Sequence, residues 1–307
     1  MAEENPWAAR LGVWWIAHDH PDLPAIAHAP SGEELTFGEL AGRAHQVARA
    51  LRAHGIEPGQ IVALDLPNGL DAVVWQLAAS EVGLRYIPLN PSFSSEEVRD
   101  ILEHSGAAVL VLQATVAAHL QPLVARCPVP LRVAVGGEIP GFTPAATLLA
   151  GQPTTPPADR RLGGMIPYSS GTTGKPKAVW RDLPDMDPWD YTDRMKSFGQ
   201  AFRFQPLQGA HLVSAGMHHG GCQGFYHGAL NVGQALVILE RFDAETTLAL
   251  VDRHRVTTAY MVPTQFVRLL RLPDDVKARY DHSSLETVVH SAAPCPLEIK
   301  RQMLEWW

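Results

Sequence analysis

Tyr168-Ser169-Ser170-Gly171-Thr172-Thr173-Gly174-Lys175-Pro176-Lys177 follows directly on the apolar run Met165-Ile166-Pro167. A strand therefore feeds a loop made of hydroxyls, glycines, lysines and one proline. Glycine lets backbone N–H groups come close to an anion, hydroxyls add donors, and lysines offset the charge. A polyphosphate is the ligand this chemistry suits. The familiar phosphate loop has Gly, four residues, Gly-Lys and then Ser or Thr. Here Gly171 and Gly174 stand only three apart, and Pro176 follows Lys175 where a Mg²⁺-holding hydroxyl would be. This is a different phosphate loop. A flexible Ser/Thr/Gly linker is the plain alternative, but a linker has no need of two lysines about a proline.

Outward from the loop, short apolar runs alternate with helical stripes. Upstream, Leu40, Ala44, Val47, Ala48 and Leu51 form a helical face over Phe37 to His54, stopped by Gly55. Ile61 to Leu64 reads as a buried strand. A helix follows over Asp71 to Glu81 and ends at Gly83, and Tyr86 to Leu89 reads as the next strand. Ser94-Ser95-Glu96-Glu97 is a capping box, and Ala107 to Leu112 and Leu131 to Val135 are further strands. Downstream, helices are expected over 189–204, 220–231, 244–254 and 264–271 and from Leu297. Strands are expected over His211–Ser214, Ala235–Leu239, Val256–Met261 and Glu286–His290. Alternation of this kind implies crossover units, and so an α/β fold of two packed βαβ sub-domains with mostly parallel sheets. The stretch from Gly136 to Arg161 is rich in proline and glycine. That composition places the sub-domain boundary there, giving 1–160 and 161–307.

The bulk numbers exclude several classes. The 307 residues carry a formal charge of −7 with no basic tract, which argues against nucleic acid. No apolar run reaches the length of a membrane span, and the acidic start is unlike a signal peptide. Cys127, Cys222 and Cys295 lack metal-ligand spacing and suit a reducing compartment, so a cytoplasmic location is expected. His218 and His219 are adjacent, and adjacent side chains diverge on either a helix or a strand. Pocket lining is preferred over a metal site, with a satisfied core histidine as a further alternative for His219.

The loop closely resembles the signature of the adenylate-forming superfamily, which includes acyl-CoA synthetases, luciferases and free-standing adenylation domains. The resemblance extends over nearly the whole chain. Leu35-Thr36-Phe37-Gly38-Glu39-Leu40 resembles an opening motif of that superfamily, and Leu66-Pro67-Asn68 and Pro88-Leu89-Asn90-Pro91 resemble early strand ends. Val213 to Gly221 is similar to a segment bordering the acyl pocket that usually reads proline, apolar, aromatic, histidine. Gly216 stands in the proline place, His218 in the aromatic place and His219 in the histidine place. No acid lies between Leu212 and Leu239 to pair with a substrate ammonium, which disfavours an amino acid. Tyr260-Met261-Val262-Pro263-Thr264 resembles a strand-to-helix turn, and His290-Ser291-Ala292-Ala293-Pro294 the small-residue turn that packs adenine.

The resemblance implies an ATP-dependent acid–CoA ligase, AMP-forming, that activates a hydrophobic carboxylic acid, as in fatty acid metabolism. ATP and CoA are the co-substrates, and Mg²⁺ accompanies ATP. Ser169, Ser170, Gly171, Thr172, Thr173, Gly174, Lys175 and Lys177 would cradle the phosphates, with Thr172, Thr173 and Lys175 taking the catalytic part. Ser291, Ala292, Ala293 and Pro294 would hold adenine, and His218, His219, Gly220 and Gly221 would line the acyl site. The resemblance also implies a Mg²⁺-binding glutamate, a ribose-holding aspartate and a lysine-bearing C-terminal domain, none of which lies within these residues. The chain is therefore expected to be inactive alone. Trp306 and Trp307, without cover, would drive self-association. A non-catalytic nucleotide-binding module, or an enzyme loading a carrier protein, is the alternative.

Overall fold

The computed structural model describes residues 6–169, 177–191 and 193–307. Along the chain run α1 (Val13–Asp19), β1 (Pro24–His28), β2 (Glu33–Thr36), α2 (Phe37–Ala53), β3 (Ile61–Asp65), α3 (Leu70–Glu81) and β4 (Arg85–Pro88). Next come α4 (Ser95–Ser105), β5 (Val109–Gln113), α5 (Gln121–Ala125), β6 (Leu131–Val135), β7 (Thr143–Pro144), α6 (Ala145–Leu149), β8 (Gly164–Met165), β9 (Tyr168–Ser169) and β10 (Lys177–Ala178). Then follow α7 (Asp193–Ala201), β11 (Ala210–Val213), α8 (Gly220–Val232), β12 (Ala235–Ile238), α9 (Ala244–Arg253) and β13 (Thr258–Met261). Last are α10 (Pro263–Leu270), α11 (Asp274–Lys277), β14 (Thr287–His290) and α12 (Leu297–Trp306).

The chain divides into two α/β units. One joins Met1–Leu40 to Tyr191–Trp307. Its sheet has the order β14-β13-β11-β12-β1-β2, parallel except for the β1–β2 hairpin. The other is Ala41–Asp190, with a wholly parallel sheet in the order β7-β6-β5-β3-β4-β8 and a separate β9–β10 hairpin. Parallel strands covered on both faces are apolar at nearly every position. β3 accordingly reads Ile-Val-Ala-Leu-Asp and is buried throughout.

The expected cut at residue 160 therefore lies elsewhere. The first forty residues carry only the Leu35–Leu40 motif, yet β1 aligns with β12 in the sheet of the second half (Ile26 opposite Leu236). β8, beyond the supposed linker, pairs instead with β4 (Arg85 opposite Gly164). The proline-rich segment is a crossover inside one unit, from the edge strand β7 to the edge strand β8. Proline supplies no N–H for a ladder, and the segment is held through its carbonyls. Arg49 donates to the carbonyls of Thr155 (2.8 Å) and Pro156 (2.7 Å), and Gln46 to that of Gln152 (3.1 Å).

Local chemistry explains the individual elements. The α2 stripe from Leu40 to Leu51 is buried, and Gly55 follows with φ 76°. Ser94 and Glu97 close the reciprocal capping box on α4, and Gly106 ends that helix in the left-handed region. α3 is apolar nearly all round and is buried nearly all round, with Trp75 at its centre. Its last residue, Glu81, is fully buried against His45 (2.9 Å). Burial raises the Glu81 pKa, with the His45 hydrogen bond and the Arg160 charge pulling the other way. Arg160 in turn grips Asp187 with two nitrogens (3.0 and 2.7 Å). Both arms leading to and from the β9–β10 hairpin are thus fastened to α3 of the same unit.

The terminal tryptophans also differ from expectation. Trp306 and Trp307 are half-buried against the core built by α9, β13 and α10, with the His282 ring 5.6 Å from Trp306. The exposed apolar side chains of α12 are Leu297 and Leu304. The helix turns its aromatic end onto the core and leaves the leucines outside. Among the described residues, no helix is long and apolar enough to cross a membrane.

Candidate functional site

The carboxyl ends of β14, β13 and β11 lie side by side in their sheet. Ligand sites of open parallel sheets form outside such ends. The three segments that leave these strands are Ser214–His219, Val262–Pro263 and Ser291–Pro294, so two groups of residues singled out from sequence meet along one edge.

From β11 the chain turns so that His219 precedes the first turn of α8, where no side chain caps the helix and no acid sits. The first N–H groups of a helix have no partner within it and carry partial positive charge. Gly220 and Gly221 are exposed at this start. A β-carbon on Gly221 would lie 2.5 Å from the Tyr260 hydroxyl and 3.5 Å from Ser291 Oγ. That hydroxyl forms a 2.6 Å hydrogen bond with Ser291 Oγ, and the Tyr260 ring stacks on Phe225 (centroids 5.2 Å, 22°). A buried tyrosine on β13 therefore ties the start of α8 to the turn after β14. In that turn Ser291, Ala292, Ala293 and Pro294 are all exposed, and Ala292 holds φ +71°. A non-glycine residue in the left-handed region is strained, and such strain gathers at functional sites. The edge that results is backbone with very little side chain, the surface a flat ring can approach.

The departures in the acyl segment belong together. A β-carbon on Gly216 would meet the His218 ring at 2.5 Å, so the imidazole lies over backbone that only glycine leaves open. The His219 N–H donates to the Gly216 carbonyl (3.0 Å), and the two imidazole centroids are 4.1 Å apart. Burial, with repulsion from His219 added, pushes His218 down to about 4, and partial burial lowers His219 as well. Both rings are neutral at pH 7, so they can shape a pocket and exchange hydrogen bonds but do not neutralise an anion. His227 lies eight residues beyond His219, on α8, half-buried and pushed down to about 4 by burial. Among the described residues no three His, Cys, Asp or Glu side chains gather as a metal cluster. These residues give Mg²⁺ no ligand set.

Two contributors escaped sequence reasoning. Gln265 donates from Nε2 to the Ser214 carbonyl (2.8 Å), and its Oε1 accepts from the Val262 N–H (3.0 Å), joining β11 to the β13–α10 turn. Its place three residues after Val262 is the one signal that could have found it. Tyr260 was noted only as part of a turn. Its bridge to Ser291 needs two strands in register, Tyr260 opposite Val289, and no local pattern carries that.

The phosphate loop belongs to the other unit. Ser169 pairs with Lys177 across the β9–β10 hairpin, so the backbone enters and leaves the loop side by side. The hairpin base is held to α4 by the 2.9 Å hydrogen bond between Tyr168 and His104. Ser170, Gly171, Thr172, Thr173, Gly174 and Lys175 lie outside the described residues.

Comparison with known proteins identifies the family through one model and adds relatives and a shared fold. The model of the family described as AMP-binding enzyme matches residues 13–307. A 4-coumarate–CoA ligase of Oryza sativa subsp. japonica is 28% identical over 288 residues, 92% of this chain and 52% of the relative. A feruloyl-CoA synthase from an Amycolatopsis species is 28% identical over 300 residues, 96% of this chain and 57% of the relative. Among solved structures, an amide bond synthetase from Marinactinospora thermotolerans superposes with a TM-score of 0.80 at 24% identity, covering 96% of this chain and 57% of that one. The chain spans about half the length of the curated relatives it matches.

Proposed function

The chain belongs to the AMP-binding enzyme family, and we propose that it forms the adenylate-binding part of an acid–CoA ligase. In this reading a carboxylate oxygen attacks the α-phosphorus of ATP and the bond to pyrophosphate breaks. The thiol sulfur of CoA then attacks the acyl carbon and AMP leaves. The first step brings an anion to an anion, so charge neutralisation and in-line placement are what the protein must supply. Ser169 to Lys177 do this at the phosphates, with Thr172, Thr173 and Lys175 taking the catalytic part. Ser291 to Pro294 receive adenine, and His218, His219, Gly220 and Gly221 border the acid. Mg²⁺, when bound with ATP, would supply further charge neutralisation.

One observation carries the reading. The bare start of α8 and the strained Ala292 turn are tied together by the Tyr260–Ser291 hydrogen bond at the carboxyl edge of a parallel sheet. A flat base and a carboxylate are what uncapped N–H groups and side-chain-free backbone accept. The stacked Phe225–Tyr260 pair beside Gly221 favours a hydrophobic acid with a ring. Two of the relatives named above are ligases of coumarate and ferulate by name, which agrees with that choice. The three cysteines are free thiols, in keeping with a cytoplasmic location, which fractionation of the source cells would check.

The test is calorimetric titration of the chain with ATP, beside a Thr172→Ala/Lys175→Ala double variant. Hydrogen bonds to charged groups are worth about 1.5–3 kcal/mol each, so ATP affinity should fall at least tenfold. Equal ATP affinity in the two chains, or none in the wild type, would remove the phosphate-loop assignment.

A further inference from the structure

The same sheet has a second concavity at its opposite edge. β11 begins at Ala210, β12 at Ala235 and β1 at Pro24, and beneath these starts opens a cavity of about 490 Å³. Its floor is apolar, with the half-buried Ala27 and Ala235 on the same face of the sheet as the buried Val237. Its polar lining comes from Glu34 on β2, Glu39 on α2, and His254 and Arg255 after α9. The size and the mixture, an apolar body with a few convergent polar groups, are those of small-molecule sites.

The backbone is bent to make the space. The β1–β2 register shifts between Pro24 and Ile26, a bulge of the kind that re-aims a strand edge. Arg255 holds φ 49°, a conformation usually left to glycine after a helix. Its guanidinium is turned to Asp281 (2.5 Å) and Ser283 (3.4 Å).

Charge decides the occupant. Asp281 already neutralises the only guanidinium among the lining residues. His254 is lowered by burial first and by Arg253 second, against the pull of Glu34, and so is uncharged at pH 7. Two carboxylates remain. One Glu39 oxygen accepts from the Thr36 N–H (2.8 Å), which fixes the side chain at the rim.

We propose that this cavity is a second binding site, for a small organic cation with an apolar body, an amine whose ring or chain lies on Ala27 and Ala235 and whose ammonium meets Glu34 and Glu39. The site is independent of adenylate formation, since the carboxyl-edge residues contribute nothing to it. An anionic or neutral body of the same shape is the wrong partner, because it would leave the carboxylates unpaired or face them with like charge.

The probes are 2-phenylethylamine and its neutral counterpart 2-phenylethanol, titrated into the chain at fixed ionic strength. The amine should bind roughly tenfold tighter than the alcohol, because exposed ion pairs give up to about 1 kcal/mol each. Glu34→Gln with Glu39→Gln should erase that preference, and glutamine at 39 keeps an acceptor for the Thr36 N–H. Ala235→Leu, which adds bulk to the lining, should weaken both probes while thermal melting shows the fold intact. If it does not fold, Ala27→Val at another lining position takes its place. Equal binding of amine and alcohol, absence of amine binding, or amine binding indifferent to the paired glutamines and to the filled cavity would each overturn the proposal.

Discussion

Gly221→Ala should damage the edge that joins the two candidate segments, and Tyr260→Phe should repair it. An alanine β-carbon at 221 would stand 2.5 Å from the Tyr260 hydroxyl and 3.2 Å from its ring carbon Cζ. The ring cannot easily withdraw: it is 2% exposed, stacked on Phe225 and hydrogen-bonded to Ser291. Overpacking of this kind costs about 1–3 kcal/mol. Against it stands the helix preference of alanine over glycine, up to about 1 kcal/mol. The net expectation is a loss of roughly 1–2 kcal/mol. In the Tyr260→Phe background the nearest atom is gone and only the 3.2 Å contact remains, so the same alanine should be neutral or slightly stabilising. The two substitutions are therefore coupled by about 1–2 kcal/mol. Urea unfolding followed by circular dichroism on the four chains gives the cycle, with midpoints compared only where the slopes agree. Effects that add to within about 0.5 kcal/mol would refute the contact, and with it the claim that Tyr260 spaces α8 from the Ser291 turn.

Two further outcomes follow from the other unit. Asp65 ends β3 almost wholly buried, and burial raises its pKa from 3.8 to about 7. The folded state thus favours the protonated acid, a contribution complete below about pH 4 and lost as pH rises through 7. Asp65→Asn should match the wild type near pH 4 and exceed it at pH 8, by about 1.4 kcal/mol for each unit of displacement. Unfolding midpoints at the two pH values check this, and no gain at pH 8 would mean that Asp65 is not held neutral. Gly163→Ala should prevent folding or cost about 4 kcal/mol or more. Its β-carbon would meet the carbonyl oxygens of Leu84 at 2.3 Å and Ala79 at 2.6 Å, backbone atoms that cannot rotate aside. A melting temperature close to wild type would contradict that crowding.

The sequence by itself determined most of the helices and strands after Phe37 and the order of the chemistry. Apolar period and caps placed α4 at its Ser94 box and β6 at Leu131–Val135, because these depend on residues close along the chain. The small-residue segments at 216–221 and 291–294 were legible for the same reason. Only the tertiary structure decided the division into units. β1 and β2 are short, and nothing local tells a strand which sheet it will join; β1 lies against β12 across some two hundred residues. The Pro/Gly composition at 136–161 marked a crossover, since proline breaks a ladder wherever it falls, inside a unit as well as between units. The partnership of Gly221, Tyr260 and Ser291 likewise needed register, because their contact is set by how α8, β13 and β14 align and not by any spacing in the chain. The cavity at the opposite edge takes Leu35, Thr36 and Glu39 from the Leu35–Leu40 motif, but nothing in that stretch signals a cavity. It lies where the β1–β2 bulge and the left-handed Arg255 meet the starts of β11 and β12, and such geometry is written in pairings that become visible only once the sheet is assembled.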